Sequence, residues 1–163
     1  MYSKLTLIIP AKNESESLPL VLRELKKFNL KKNIILEKKN KKTIKNIKKY
    51  KCKIIYQKNK GYGDALIQGI KSVKTDYFCI FNADGSFNPN ELKIMLKKVN
   101  TQNADFVFGT RYEKNCGSDD DTLITLAGNY IFTKIGNIFF NLNITDILYT
   151  YVLGKTSKAK KLN

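Results

Sequence analysis

The sequence predicts an α/β fold in which a mostly parallel central sheet is flanked by helices, and three observations carry that expectation. Short apolar runs of strand character alternate with helical patterns over the first two thirds of the chain. Those runs end in polar residues, most plainly at Tyr77-Phe78-Cys79-Ile80-Phe81, which stops in Asn82-Ala83-Asp84-Gly85. At 163 residues and 42% apolar content, the chain is long enough for one domain with a substantial core.

The elements follow in order. Leu5 to Pro10 reads as a buried strand. Asn13-Glu14-Ser15-Glu16-Ser17 offers capping residues and early carboxylates for a helix from Leu18 to Leu25, with Pro19 tolerated in its first turn. Asn33 to Leu36 is a short second strand. Thr43 to Tyr50 reads as a Lys-rich helix with Ile44 and Ile47 on one face, and Lys53 to Tyr56 as a third strand. Gly61-Tyr62-Gly63 opens a helix over Asp64 to Ser72, and Tyr77 to Phe81 is the fourth strand. Pro89 to Asn100 is a helix whose apolar face is Leu92, Met95, Leu96 and Val99. Asp105 to Gly109 is a fifth strand. Leu123 to Phe140, rich in aromatics and Gly, is one amphipathic helix or two, and residues 155–163 form a polar tail that frays.

Composition excludes several functions. The chain has no His, and Cys52, Cys79 and Cys116 lie far apart, so neither a zinc site nor His-based acid–base catalysis is available. Cys79 falls inside an apolar strand and reads as packing. No apolar run reaches membrane-span length, and Leu5 to Pro10 is too short for a signal-peptide core, which places the chain in the cytoplasm. The net charge is +16, yet only Arg23 and Arg111 of the 30 basic residues are Arg. Nucleic-acid surfaces favour Arg for bidentate contacts, so no nucleic-acid partner is expected. The Lys excess is a solvated face, or it attracts a polyphosphate ligand or the anionic inner face of a membrane as a peripheral protein.

The chemistry concentrates at the strand ends. Residues two apart on an extended chain point the same way, which aims Asn82 and Asp84 together where a strand opens into a loop. Two such oxygen donors suit a hard divalent cation and the phosphates it bridges. The plain alternative is strand-to-turn punctuation, for which Asn, Asp and Gly are the usual residues.

Four segments line up at such ends: Pro10-Ala11-Lys12-Asn13-Glu14, Asn59-Lys60-Gly61-Tyr62-Gly63-Asp64-Ala65, Asn82-Ala83-Asp84-Gly85 and Gly109-Thr110-Arg111-Tyr112. Over about residues 5–154, their order and spacing resemble family 2 glycosyltransferases, especially the dolichol-phosphate and polyprenol-phosphate mannosyl- or glucosyltransferases. A later Thr145-Asp146 resembles that family's Thr-Asp. The resemblance implies a GT-A (Rossmann-like) domain over residues 1–154, C-terminally short, with a nucleotide-diphosphate sugar donor and Mg²⁺ or Mn²⁺ as cofactor. It also implies a lipid-phosphate or saccharide acceptor. By the same resemblance, Pro10, Ala11, Asn13, Glu14, Glu37, Gly61, Gly63, Asp64, Asn82, Ala83 and Arg111 bind the nucleotide sugar. Asp84, Asn82 and Ser86 hold the metal, and Asp84 and Asp146 are catalytic.

Several of these residues carry a second reading. Glu14 could supply charge at a helix start. Gly61 and Gly63 could form an ordinary turn, Arg111 a surface ion pair, and Asp146 the cap of a turn. Asp119, Asp120 and Asp121 contribute a metal or acceptor-site carboxylate, or cap the helix before Leu123. Three departures from the family pattern stand out. Asn82 replaces the first Asp of Asp-x-Asp. Leu36-Glu37-Lys38-Lys39-Asn40 replaces a paired-Asp segment. The chain also stops soon after Asp146, before the acceptor-side segment that family members usually carry. Metal-assisted inverting transfer is therefore the leading expectation, with a non-catalytic nucleotide-sugar-binding remnant and a basic nucleic-acid-binding module as alternatives.

Overall fold

A computed structural model of the chain describes residues 2–112 and 122–162. Six strands form one sheet in the order β3-β2-β1-β4-β6-β5. Strands β1 (Leu5–Pro10), β2 (Lys31–Leu36), β3 (Lys53–Tyr56) and β4 (Tyr77–Ile80) are mutually parallel. Strand β5 is Phe106–Phe108, and β6 (Val152–Lys155) runs antiparallel to β4. The helices are α1 (Ser17–Glu24), α2 (Lys41–Ile47), α3 (Tyr62–Ser72), α4 (Glu91–Thr101), α5 (Leu123–Phe140) and the four-residue α6 (Thr156–Ala159). The chain separates into two compact units, residues 1–107 with 153–163 and residues 108–152.

In the first unit, β1 is covered on both faces. Leu5, Leu7, Ile8 and Ile9 are all fully buried, which explains a continuous apolar run in place of an alternating one. Each such side chain contributes about 1.5–3 kcal/mol on burial. Helix α3 comes close to β1 at Gly69, where a Cβ would overlap Ile8. Helix α4 buries Leu92, Met95, Leu96 and Val99, the face its periodicity predicts. Helix α2 differs from expectation: it ends at Ile47, and Thr43 and Ile47 form its buried face while Ile44 is half-buried.

The expected frayed tail is corrected by the structure. Residues 152–155 supply β6 between β4 and β5, and Leu153, Thr156 and Ala159 are buried. Three lysines of this segment have partners, while the buried Thr156 hydroxyl has none among the described residues. Lys155 Nζ donates to Asn103 Oδ1 at 2.9 Å and to Asp105 Oδ1 at 3.1 Å, Lys158 pairs with Asp105 at 3.0 Å, and Lys160 Nζ donates to the Val73 carbonyl at 2.7 Å. Gly154 allows the close fit, since a Cβ there would meet the Phe106 and Phe78 rings at 2.5–3.0 Å.

In the second unit, α5 is a single 18-residue helix. Its N-cap is Thr122, in a reciprocal capping box with Thr125. The aspartates 119–121, read as possible capping residues, lie outside the described residues, as does Cys116. The polarity of α5 is reversed. Its buried residues are Asn129, Thr133 and Gly136, and they meet the following loop. Asn129 Oδ1 accepts from the Leu148 amide (3.2 Å) and Thr133 Oγ1 from the Ile147 amide (3.1 Å). Asn137 exchanges two bonds with the Ile144 backbone. The apolar residues lie outward, with Ile138 77% and Phe139 78% exposed.

Candidate functional site

Parallel strands bring their C-terminal ends to one edge of a sheet, which is where open α/β sheets receive ligands. Pro10 ends β1, and the Ala11 amide continues the pairing by donating to the Ile35 carbonyl at 2.8 Å. Asn13 has φ 63°, a left-handed conformation that Asn tolerates better than most residues. Glu14 accepts the Ser17 hydroxyl, and its carbonyl accepts the Leu18 amide. These bonds tie Glu14 to the segment that leads into α1, although Glu14 stands before the helix's first turn.

Beyond β2, Glu37 pairs with Lys39 at 2.8 Å. The Lys39 hydrogen bond holds the Glu37 carboxyl below its ordinary pKa, and the nearby charges of Lys12 and Lys60 add to the effect against a cost from desolvation. Those lysines belong to the loops after β1 and β3, so three loops meet around one carboxylate. Asn40, in the same loop, was not among the predicted residues. It is buried, and its Nδ2 has no hydrogen-bond partner. A buried donor left unsatisfied is costly enough to warrant a functional explanation.

Asp64 organises the loop before α3. Burial pushes its carboxyl pKa up, but bonds from the Asn59 amide, the Asn59 and Gln68 side chains and the Lys58 amide outweigh burial and lower it. Those bonds span 3.1–3.3 Å. Asp64 thus shapes the Gly61 turn, where φ is 102°, and its oxygens are occupied in doing so. A Cβ on Gly63 would meet nothing within 4 Å, so the helix start faces open space.

Asn82, Asp84 and Ser86 form one cluster after β4. Asn82 Nδ2 donates to Ser86 Oγ at 3.1 Å, and the Ser86 amide donates to Asp84 Oδ1 at 2.9 Å. Gly85 takes φ 90°, which turns the chain back within four residues. Ala83 is buried while Asp84 is exposed, so the turn is anchored by apolar neighbours and presents its carboxylate outward. The set holds one carboxylate, one amide and one hydroxyl, oxygen donors that fit a hard divalent cation. Among the described residues, no group of three His, Cys, Asp or Glu side chains offers an alternative centre.

The other predicted residues belong to the second unit. Arg111 and Asp146 form a bidentate pair, Nε to Oδ2 at 2.8 Å and Nη2 to Oδ1 at 3.1 Å. The Asp146 side chain is 0% exposed and also accepts the Tyr149 amide. The Arg111 guanidinium lies over the rings of Tyr112 and Tyr149, 5.1 and 5.3 Å from their centroids. Of the two readings of Arg111, a nucleotide-sugar contact and a surface ion pair, the fork is spent on an ion pair, but one that reaches inward. The partner is a buried carboxylate 35 residues away, and only the Thr145-Asp146 motif signalled it.

Comparison with known proteins adds three findings. The family model described as glycosyl transferase family 2 matches residues 6–162. A low-salt glycan biosynthesis hexosyltransferase of Haloferax volcanii is 30% identical over 94 residues, covering 57% of this chain and 23% of that protein. Two solved structures share the fold. Glucosyl-3-phosphoglycerate synthase from Mycobacterium tuberculosis, crystallised with Mn²⁺ and uridine diphosphate, superposes with a TM-score of 0.72 at 11% identity, covering 94% of this chain and 57% of that one. Mannosyl-3-phosphoglycerate synthase from Rubrobacter xylanophilus gives 0.74 at 14% identity, covering 95% and 54%. The chain thus spans under two thirds of each of these three proteins.

Proposed function

The chain belongs to glycosyl transferase family 2 with a GT-A fold, and from that premise we propose that it transfers a hexosyl group from a nucleoside-diphosphate sugar to an acceptor, with inversion. The Asn82–Asp84–Ser86 cluster at the ligand-receiving edge of the sheet carries the reading. The donor diphosphate would lie at this cluster, the nucleoside among the loops holding Ala11, Asn13, Glu37 and Gly61, and the buried Asn40 amide would donate to it. Mg²⁺ or Mn²⁺ held by Asp84, Asn82 and Ser86 would supply charge neutralisation for the departing diphosphate.

Two features of the second unit favour a polyprenyl phosphate as acceptor. The Asp146 carboxylate is committed to Arg111, which leaves it poorly placed as a general base, and a phosphate oxygen is already anionic and needs none. The outward apolar side of α5 suits a lipid surface, so the protein would act as a peripheral membrane protein. Among the described residues, no helix is long and apolar enough to cross a membrane. A second reading, nucleotide-sugar binding without turnover, is favoured by the Glu37–Lys39 pair, which ties up the carboxylate after β2. The two readings separate when labelled nucleotide sugars are supplied with polyprenyl phosphate in vesicles, with Mn²⁺ or with EDTA. Transfer that needs the metal supports the enzyme, saturable donor binding without transfer supports the remnant, and neither would refute the donor site.

A further inference from the structure

A second polar region lies at the opposite edge of the first unit's sheet. The turns leading from α1 into β2 and from α2 into β3 enclose a cavity of about 970 Å³. Strand β2, six residues long, separates this edge from the donor edge by about 20 Å at ~3.3 Å per residue. Seven lysines line the cavity, Lys32, Lys49, Lys51 and Lys53 among them, and no carboxylate does. None of the seven enters an ion pair with a described residue. Six of the seven are exposed and Lys32 is half-buried, and their mutual repulsion is uncompensated by any carboxylate lining the cavity.

Lys32 is the half-buried member of the set. Burial, with the charge of Lys51, lowers its pKa against the opposing influence of Cys52, and its Nζ donates to the Leu30 carbonyl at 3.0 Å. Phe28 and Tyr50 also line the cavity, each with a lysine ammonium over its ring, Lys27 at 5.2 Å and Lys49 at 5.6 Å. Several separate point charges, with no Arg fork, match a row of anionic centres better than a single planar carboxylate.

We infer that this cavity is a binding site for a ligand carrying two or more phosphates, separate from the donor site and independent of the transfer activity. The phosphates come either from a soluble oligophosphate or from the headgroups of an anionic bilayer. Calorimetry of the whole chain with tripolyphosphate, in EDTA to deny the donor site its cation, tests the first source. Sedimentation with phosphatidylglycerol vesicles tests the second. In whichever arm binds, K49Q/K51Q/K53Q, three exposed positions, is expected to weaken binding at least tenfold. The charge-matched K93Q/K97Q/K98Q, on the exposed side of α4, is expected to weaken it less than twofold. Circular dichroism of both variants confirms the fold. Equal weakening in the two variants would reduce the effect to net charge and overturn the proposal, as would the absence of binding in both arms.

Discussion

Asp84 is exposed on a turn whose anchoring comes from Phe81, Ala83 and Phe87, all buried. Asp84→Ala therefore removes a charge without opening a cavity. Mn²⁺-dependent donor binding is expected to disappear in calorimetry while unfolding stability stays within about 0.5 kcal/mol. Asn82→Asp adds a second carboxylate to the cluster and is expected to tighten Mn²⁺ binding several-fold; unchanged affinity would remove Asn82 from the ligand set. Arg111 behaves differently, because its partner is fully buried. Arg111→Ala leaves the Asp146 carboxylate without its counter-ion, and urea unfolding is expected to register a loss of about 3 kcal/mol. A loss below about 1 kcal/mol would mean that solvent reaches Asp146 and the pair does not organise its loop.

The elements that sequence periodicity located best are those with one packed face. Helix α4 was legible because four apolar residues at helical spacing all meet the same core, and β1 because a strand covered on both faces must be apolar throughout. Strand β6 was illegible for the opposite reason. Its four residues include a glycine and a lysine, and its identity is set by Phe78 and Phe106, distant in sequence. Gly154→Ala would press a methyl group into those rings and is expected to cost about 1–3 kcal/mol, read as a lowered midpoint in denaturant. The same segment is held by Asp105, whose pKa is lowered chiefly by its hydrogen bonds from Lys158 and Lys155. A carboxylate depressed in the folded state stabilises fully above its unfolded pKa of about 3.9 and loses that contribution as pH falls further. Hydrogen exchange in residues 153–162 should accelerate as pH drops below about 4 after correction for intrinsic rates, and Asp105→Asn should flatten that dependence.

At the scale of the whole molecule, the edge that gathers the candidate site was legible because parallel topology follows from alternation and forces the strand ends together. The roles of single residues were less so. Asp64 has the composition of a ligand yet spends its oxygens on its own loop, and Asn40 looks like surface until the loop folds over it. The reversed polarity of α5 was hidden because its residues show an apolar majority without showing which side is inward. The first unit is also discontinuous: residues 153–163 complete what residues 1–107 begin. That arrangement imposes an order in time. A ribosome adding about 5–20 residues per second needs roughly 2–9 s to make the intervening stretch. For those seconds β4 has been made but the strand that covers its free side has not. The nascent chain thus carries an unpaired strand edge, the kind of surface other chains adopt, until residues 152–155 emerge. Aggregation during refolding is expected to fall when a copy of residues 152–162 is supplied in trans as a peptide that pairs with the free side of β4.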